Sequence, residues 1–188
     1  MKRVETVFLA GPDPWFPDPV EHRRRREALC VEAGFRAVTP DLGAGLDDER
    51  RTEVAARILY ADALAALRGA DALIANLTPW RGPHCDPATA FLAGFAAALG
   101  KPVFAYLNIS DEDDADPCGR VGALCGAAPD AQGRWRDATD CEIEDFMLPE
   151  TVMLWAEARR FFVIMTADPL HDLTGLQMSL EAMQIYAE

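Results

Sequence analysis

Two aspartates bracket the most informative stretch of this 188-residue chain. Asp71 opens the apolar run Ala72-Leu73-Ile74-Ala75-Asn76-Leu77, and Asp86 precedes Pro87-Ala88-Thr89-Ala90-Phe91-Leu92-Ala93-Gly94. Between them lies Thr78-Pro79-Trp80-Arg81-Gly82. Two carboxylates around one cleft are what N-glycosidic chemistry needs. One acid protonates or orients the leaving base while another group stabilises the sugar cation. Each acid also has a plainer reading. An Asp followed by Pro at the first helical position is a helix N-cap, and an acid at the start of a strand is a turn residue.

A second candidate is Gly11-Pro12-Asp13-Pro14-Trp15-Phe16, a rigid loop presenting an indole and a phenyl ring. Such rings stack on a planar base or plug the end of a sheet, and the residues alone favour neither. Neither GxGxxG nor GxxxxGK[ST] occurs, so the common dinucleotide and triphosphate cradles are absent. Arg23 to Arg26 could form a phosphate patch. On a helix the four splay around most of a turn, which favours a solvated face. His22 and His171 sit in polar surroundings and are expected at the surface. Cys85 beside His84 could be a nucleophile only if two adjacent loop residues faced each other, which is unusual. Trp135, between Arg134 and Arg136, either helps close a loop over a ligand or anchors that loop.

These residues need a frame, and strand and helix signals alternate along the chain. Strands are expected at Thr6 to Ala10, Phe35 to Val38, Leu73 to Leu77, Val103 to Leu107 and Phe161 to Met165. Helices are expected at Asp18 to Ala33, Asp48 to Leu67, Ala88 to Leu99, Phe146 to Ala158 and Leu173 to Tyr186. The first should bury Val20, Ala28, Leu29 and Val31; the second, Val54, Ile58, Leu64 and Leu67. An acidic Gly-, Ala- and Pro-rich segment at about 109–142 has weak periodicity and reads as a long functional loop or mobile insertion. The expected fold is α/β: one domain over residues 1–188, a flavodoxin-like three-layer arrangement around a five-stranded parallel sheet. Its ligand should lie at the carboxyl ends of the strands.

Composition narrows the partners. Half the residues are hydrophobic and the net charge is −13, which disfavours a nucleic-acid polymer or an anionic membrane as partner. The apolar stretch Ala88 to Gly100 is shorter than the ~20 residues that span a bilayer, and the run before Pro12 is too short for a signal peptide. Five cysteines without close CxxC pairs or zinc-like histidine spacing point to reduced thiols and a cytoplasmic protein with no metal and no cofactor.

Three motifs together resemble the nucleoside 2-deoxyribosyltransferase family. Phe8-Leu9-Ala10-Gly11-Pro12 is similar to the family's first-strand Tyr-Leu-Ala-Gly-Pro. Trp80-Arg81-Gly82 through Gly94 resembles Phe-Arg-Gly followed by Asp-x-Gly-Thr-Ala-Phe-Glu-x-Gly, and Ile143 to Pro149 resembles Val-Glu-Asp-Phe-Gly-Leu-Pro. The resemblance implies a flavodoxin-like fold and exchange of the base on a 2′-deoxyribonucleoside through a covalent deoxyribosyl-glutamate. It also implies a homodimer or larger assembly in which a neighbouring subunit completes each site.

Position by position, the resemblance gives Asp71 the base and Asp86 the sugar hydroxyls. Phe8 stands where a Tyr orients the nucleophile, Thr151 at an Asn that reaches the partner's sugar, and Ala88 at a Gly. Leu92 stands at the nucleophilic Glu. Gly11, Pro12, Trp15, Asp41 and Thr89 complete the expected substrate contacts, with Trp15 covering the ring. Leucine cannot attack an anomeric carbon, so three readings follow: a nucleoside- or nucleotide-binding protein that has lost the transfer reaction, an enzyme with rearranged chemistry, or a scaffold with a filled pocket. The rearranged enzyme would use direct water attack promoted by Asp86, or Glu150 donated by a partner subunit.

Overall fold

In a computed structural model of the protein, residues 4–43 and 46–187 are described. The chain runs β1 (Thr6–Ala10), α1 (Pro19–Glu32), β2 (Arg36–Val38), α2 (Glu53–Gly69), β3 (Ala72–Asn76), α3 (Pro87–Ala98), β4 (Val103–Ile109), α4 (Pro117–Cys125), β5 (Ala128–Pro129), β6 (Trp135–Arg136), α5 (Val152–Trp155), β7 (Ala158–Met165) and α6 (Thr174–Ala187). The main sheet has the order β2-β1-β3-β4-β7, and every pairing in it is parallel. This is the expected flavodoxin-like α/β fold.

Alternation along the strands divides the core between two faces. Phe8, Ala10, Leu73, Ala75 and Leu107 point into one cluster with Leu64 and Leu67 of α2 and Leu92, Ala93 and Ala96 of α3. Val7, Leu9, Ile74, Phe104 and Tyr106 point the other way, onto Cys30 of α1 and Leu176, Leu180 and Met183 of α6. Gly175 allows α6 to lie this close, because a Cβ there would meet the Tyr106 ring at 2.4 Å.

Several sequence expectations are corrected. On α1 the expected apolar residues Val20 and Val31 are exposed, while His22, Arg26 and Cys30 face inward at helical spacing. Hydrophobicity alone misassigns this face because a carboxylate from the β1 loop waits beneath it. Three arginines of the run are exposed, as a solvated face requires, but Arg26 is buried. On α2, Leu64 and Leu67 are buried as expected, whereas Val54 and Ile58 are exposed. This helix starts at Glu53, where Thr52 accepts a capping hydrogen bond from Ala55 N at 3.1 Å.

The helix expected over Phe146 to Ala158 shrinks to one turn, Val152–Trp155. Pro149 disfavours helical geometry in the residue before it, and Met147 adopts a left-handed φ of 54°. The 109–142 segment is not structureless. It holds a 3-10 turn at Glu112–Ala115, α4 and a hairpin of β5 and β6. Trp135 lies against Gly122 of α4, so it anchors this segment.

Candidate ligand-binding site

At the carboxyl edge of the sheet, the β1 loop, the segment after β2, α2, and the β3–α3 loop enclose a cavity of about 440 Å³. Four aromatic rings line it, those of Trp15, Tyr60, Trp80 and Phe91, with Leu42, Leu59, Leu64 and Leu92. Its charged groups are Asp86 and Arg81. The shape suits a planar, largely apolar group oriented by one carboxylate and one guanidinium.

Asp86 is placed by helix capping. Its Oδ2 accepts from Thr89 N at 2.9 Å and from the Thr89 hydroxyl at 3.0 Å, with Pro87 opening the helix. Both bonds fall on one oxygen, so the cap and the cavity wall are the same side chain. Arg81 adopts a left-handed φ of 56° and lays its guanidinium 5.0 Å from the Trp80 ring centroid. Leu92 is only 4% exposed and joins the cavity floor to the buried cluster that contains Phe8.

The β1 loop is built around a residue that sequence reasoning did not single out. Asp13 is buried and accepts from His22 Nε2 at 2.8 Å, with Arg26 Nη1 3.3 Å from its other oxygen. Asn76, at the end of β3, adds a longer amide contact at 3.4 Å. Burial works to raise the Asp13 carboxyl, but Arg26 and the His22 contact outweigh it and leave it below its ordinary 3.8. Gly11 makes room for this carboxylate: a Cβ there would lie 1.9 Å from Asp13 Oδ2. Asp13 could have been noticed as an acid between two prolines, but its partners lie on α1 and β3.

The remaining candidates divide clearly. Trp15, Asp86 and Leu92 meet in the cavity, with Thr89 directly behind Asp86. Phe8, Gly11 and Pro12 are buried supports. Asp41 accepts from Gly43 N at 2.8 Å and lines a neighbouring chamber. Thr151, the N-cap of α5, is half-buried, and its N–H donates to Glu150 at 2.9 Å. It does not line the cavity.

Asp71 is not brought to the cleft. It precedes β3 at the amino edge of the sheet, where its Oδ2 accepts from Glu5 N and Thr6 N at 3.1 and 3.0 Å. A five-residue strand at ~3.3 Å per residue puts it about 17 Å from the opposite edge. Glu150 is likewise turned inward, buried with its carboxylate 3.4 Å from the equally buried Arg120. His22 is buried and His171 partly so, contrary to the surface expectation. Cys85 is buried while His84 is exposed. Burial and the Glu150 and Asp86 carboxylates push the Cys85 thiol up to about 12, which removes it as a nucleophile. All five cysteines are free thiols.

The fold and this cleft define the class: a flavodoxin-like α/β protein with an aromatic-lined cavity at the carboxyl ends of its strands. The family model for nucleoside 2-deoxyribosyltransferase matches residues 7–153, so the chain belongs to that family. It is similar to a 2-desoxiribosyltransferase from Leishmania mexicana, with 27% identity and a TM-score of 0.58 over 84% of this chain and 89% of that one. A conserved protein from Enterococcus faecalis V583, 16% identical with a TM-score of 0.52 over 95% and 98% of the two chains, shares the fold. No curated protein sequence matches significantly. Among the described residues, no helix is long and apolar enough to cross a membrane.

Proposed function

We propose that this chain binds a nucleoside or nucleotide with the base in the aromatic cavity, and that the family's double-displacement transfer is lost or altered. Trp15 covers the ring, and Asp86 faces the sugar through the oxygen that does not cap α3. The carrying observation is Leu92: the position that the family resemblance gives to the nucleophile is an apolar floor, 4% exposed, in one buried cluster with Phe8. Losing a nucleophile that acts within a unit costs up to about a millionfold in rate, or roughly 8 kcal/mol of barrier. An apolar wall also offers nothing to stabilise an oxocarbenium ion.

The base contact is supported by the four rings, because stacking on an aromatic side chain contributes about 1–3 kcal/mol per base. We further propose a homodimer, in which a second copy brings Thr151 to the neighbouring site. Incubating 2′-deoxyinosine with adenine, and with water alone, and following both by HPLC tests the catalytic half. The expected outcome is nucleoside binding by calorimetry without base exchange at transferase speed. Fast exchange with a labelled sugar trapped on another carboxylate would overturn it. Slow release of hypoxanthine in water alone would identify hydrolysis, and its loss in Asp86→Asn would assign the promotion to Asp86.

A further inference from the structure

A second chamber, of about 240 Å³, lies on the other side of the β1 loop. Asp13, Arg23, Arg26, Thr39 and Asp41 line it, together with the first turn of α1. The two chambers border the same two segments: Pro14 and Asp41 face the smaller one, and their neighbours Trp15 and Leu42 face the larger. The formal charges on the wall cancel, but the hydrogen-bonding capacity does not. Asp13 is occupied by His22, Arg26 and Asn76, and Asp41 turns one oxygen to Gly43 N.

The unspent groups are donors. Arg26 is 2% exposed, and among the described residues neither its Nε nor the buried Thr39 hydroxyl oxygen has a hydrogen-bond partner. A buried guanidinium nitrogen left unpaired is costly unless something fills the position. The chamber also meets the amino end of α1, whose N-cap Asp18 makes no side-chain hydrogen bond to the first turn. Helix N-termini favour anions through their free N–H groups and dipole. Arg23, exposed and paired with Glu27 four residues on, can turn toward a bound anion.

We infer that this chamber is an oxyanion subsite, and that the ligand is bipartite: a base in the aromatic cavity joined through its sugar to a phosphate held by Arg23, Arg26 and Thr39. The inference rests on the nucleoside reading above and narrows it to a nucleoside 5′-monophosphate. Exposed Asp41 works against the phosphate, which keeps the expected gain modest.

Calorimetry with three probes tests it: 2′-deoxyinosine, its 5′-monophosphate and inorganic phosphate. The monophosphate is expected to bind about tenfold more tightly than the nucleoside. Arg23→Ala and Thr39→Val should each bring that ratio toward one, while Asp41→Asn should enlarge it. Equal affinities for nucleoside and monophosphate in the unmodified protein, or a ratio untouched by Arg23→Ala, would overturn the subsite and leave the nucleoside reading standing. Phosphate binding that does not compete with the monophosphate would also overturn it, since the chambers would then not share one ligand. Phosphate binding with no affinity for the nucleoside would sink the nucleoside reading and the bipartite ligand, leaving only an anion site. No binding of any probe would sink both.

Discussion

Leu92 and Trp15 make opposite kinds of contribution to one cavity. Leu92 is a core residue that also forms the floor, so Leu92→Ala removes buried methyl groups from a packed cluster. It should lower stability by about 2–4 kcal/mol, read as a shift in the urea midpoint at unchanged slope. Trp15 is 38% exposed, so Trp15→Ala should barely move that midpoint yet weaken nucleoside binding by about 1–3 kcal/mol. A Trp15 variant that binds as well as the parent would show that the indole only plugs the sheet. Leu92→Glu asks whether chemistry can be restored. A carboxylate in that apolar floor gives up the leucine packing and is desolvated as well, so Leu92→Glu should lower the urea midpoint further than Leu92→Ala does. Adding Phe8→Tyr supplies a hydroxyl in the same buried cluster, and the double variant is the one expected to trap labelled deoxyribose. If neither variant traps sugar, Leu92 is not the residue that separates this chain from active transferases.

Asp13 connects β1, α1 and the end of β3, and its titration should appear in the stability of all three. Its folded pKa lies below the ordinary 3.8. Its stabilising contribution is therefore complete above 3.8 and disappears as pH falls through the lower folded value. Asp13→Asn leaves Arg26 buried without its counter-charge, which should cost about 3–5 kcal/mol at neutral pH. The difference between variant and parent should shrink below about pH 3.8, where the parent's own carboxyl takes up a proton. A difference that stays constant into acid would show that Asp13 acts by packing and not by charge. The same element shows where the sequence was legible. Local signals placed all five strands of the main sheet; β1, β3 and β4, buried on both faces, are the continuous apolar runs expected of central parallel strands. They also placed Asp86, since its capping role and its position in the cleft come from one short segment. They failed on α1, where the inward face is polar. Its burial depends on Asp13, nine residues before His22, and on Asn76, across the sheet. On Asp71 the local signal was right and the resemblance was not: an acid that opens a parallel strand lies at the amino edge, where it accepts from Glu5 N and Thr6 N, away from the carboxyl ends.

Across the whole molecule, apolar exposure concentrates on the segment that crosses from the 109–142 region to β7. Phe146, Met147, Val152, Met153 and Trp155 are all exposed, Met147 at 90% and Met153 at 80%. Such a patch on one short segment is unusual for a surface in contact only with water. Arg120 holds this segment against the site from within. Its Nε donates to Pro83 O at 2.7 Å, Nη1 to Asp114 O at 2.9 Å and Nη2 to Pro149 O at 3.1 Å, beside the Glu150 carboxylate. The clamp therefore joins the loop that carries Asp86 to the segment that carries the patch. If a second copy covers the patch, ligand binding and assembly should be coupled. Met147→Asp with Met153→Asp places two charges on an exposed surface, where they should leave the monomer fold intact. In sedimentation velocity the parent should run as a dimer and this variant as a monomer, with nucleoside affinity falling in parallel. Arg120→Met is the internal counterpart, breaking the clamp while leaving the patch chemically unchanged. It should destabilise the protein by about 3 kcal/mol or more, because Glu150 is left buried and unpaired. A monomeric parent that binds nucleoside at full strength would separate the two properties and confine the patch to some other partner.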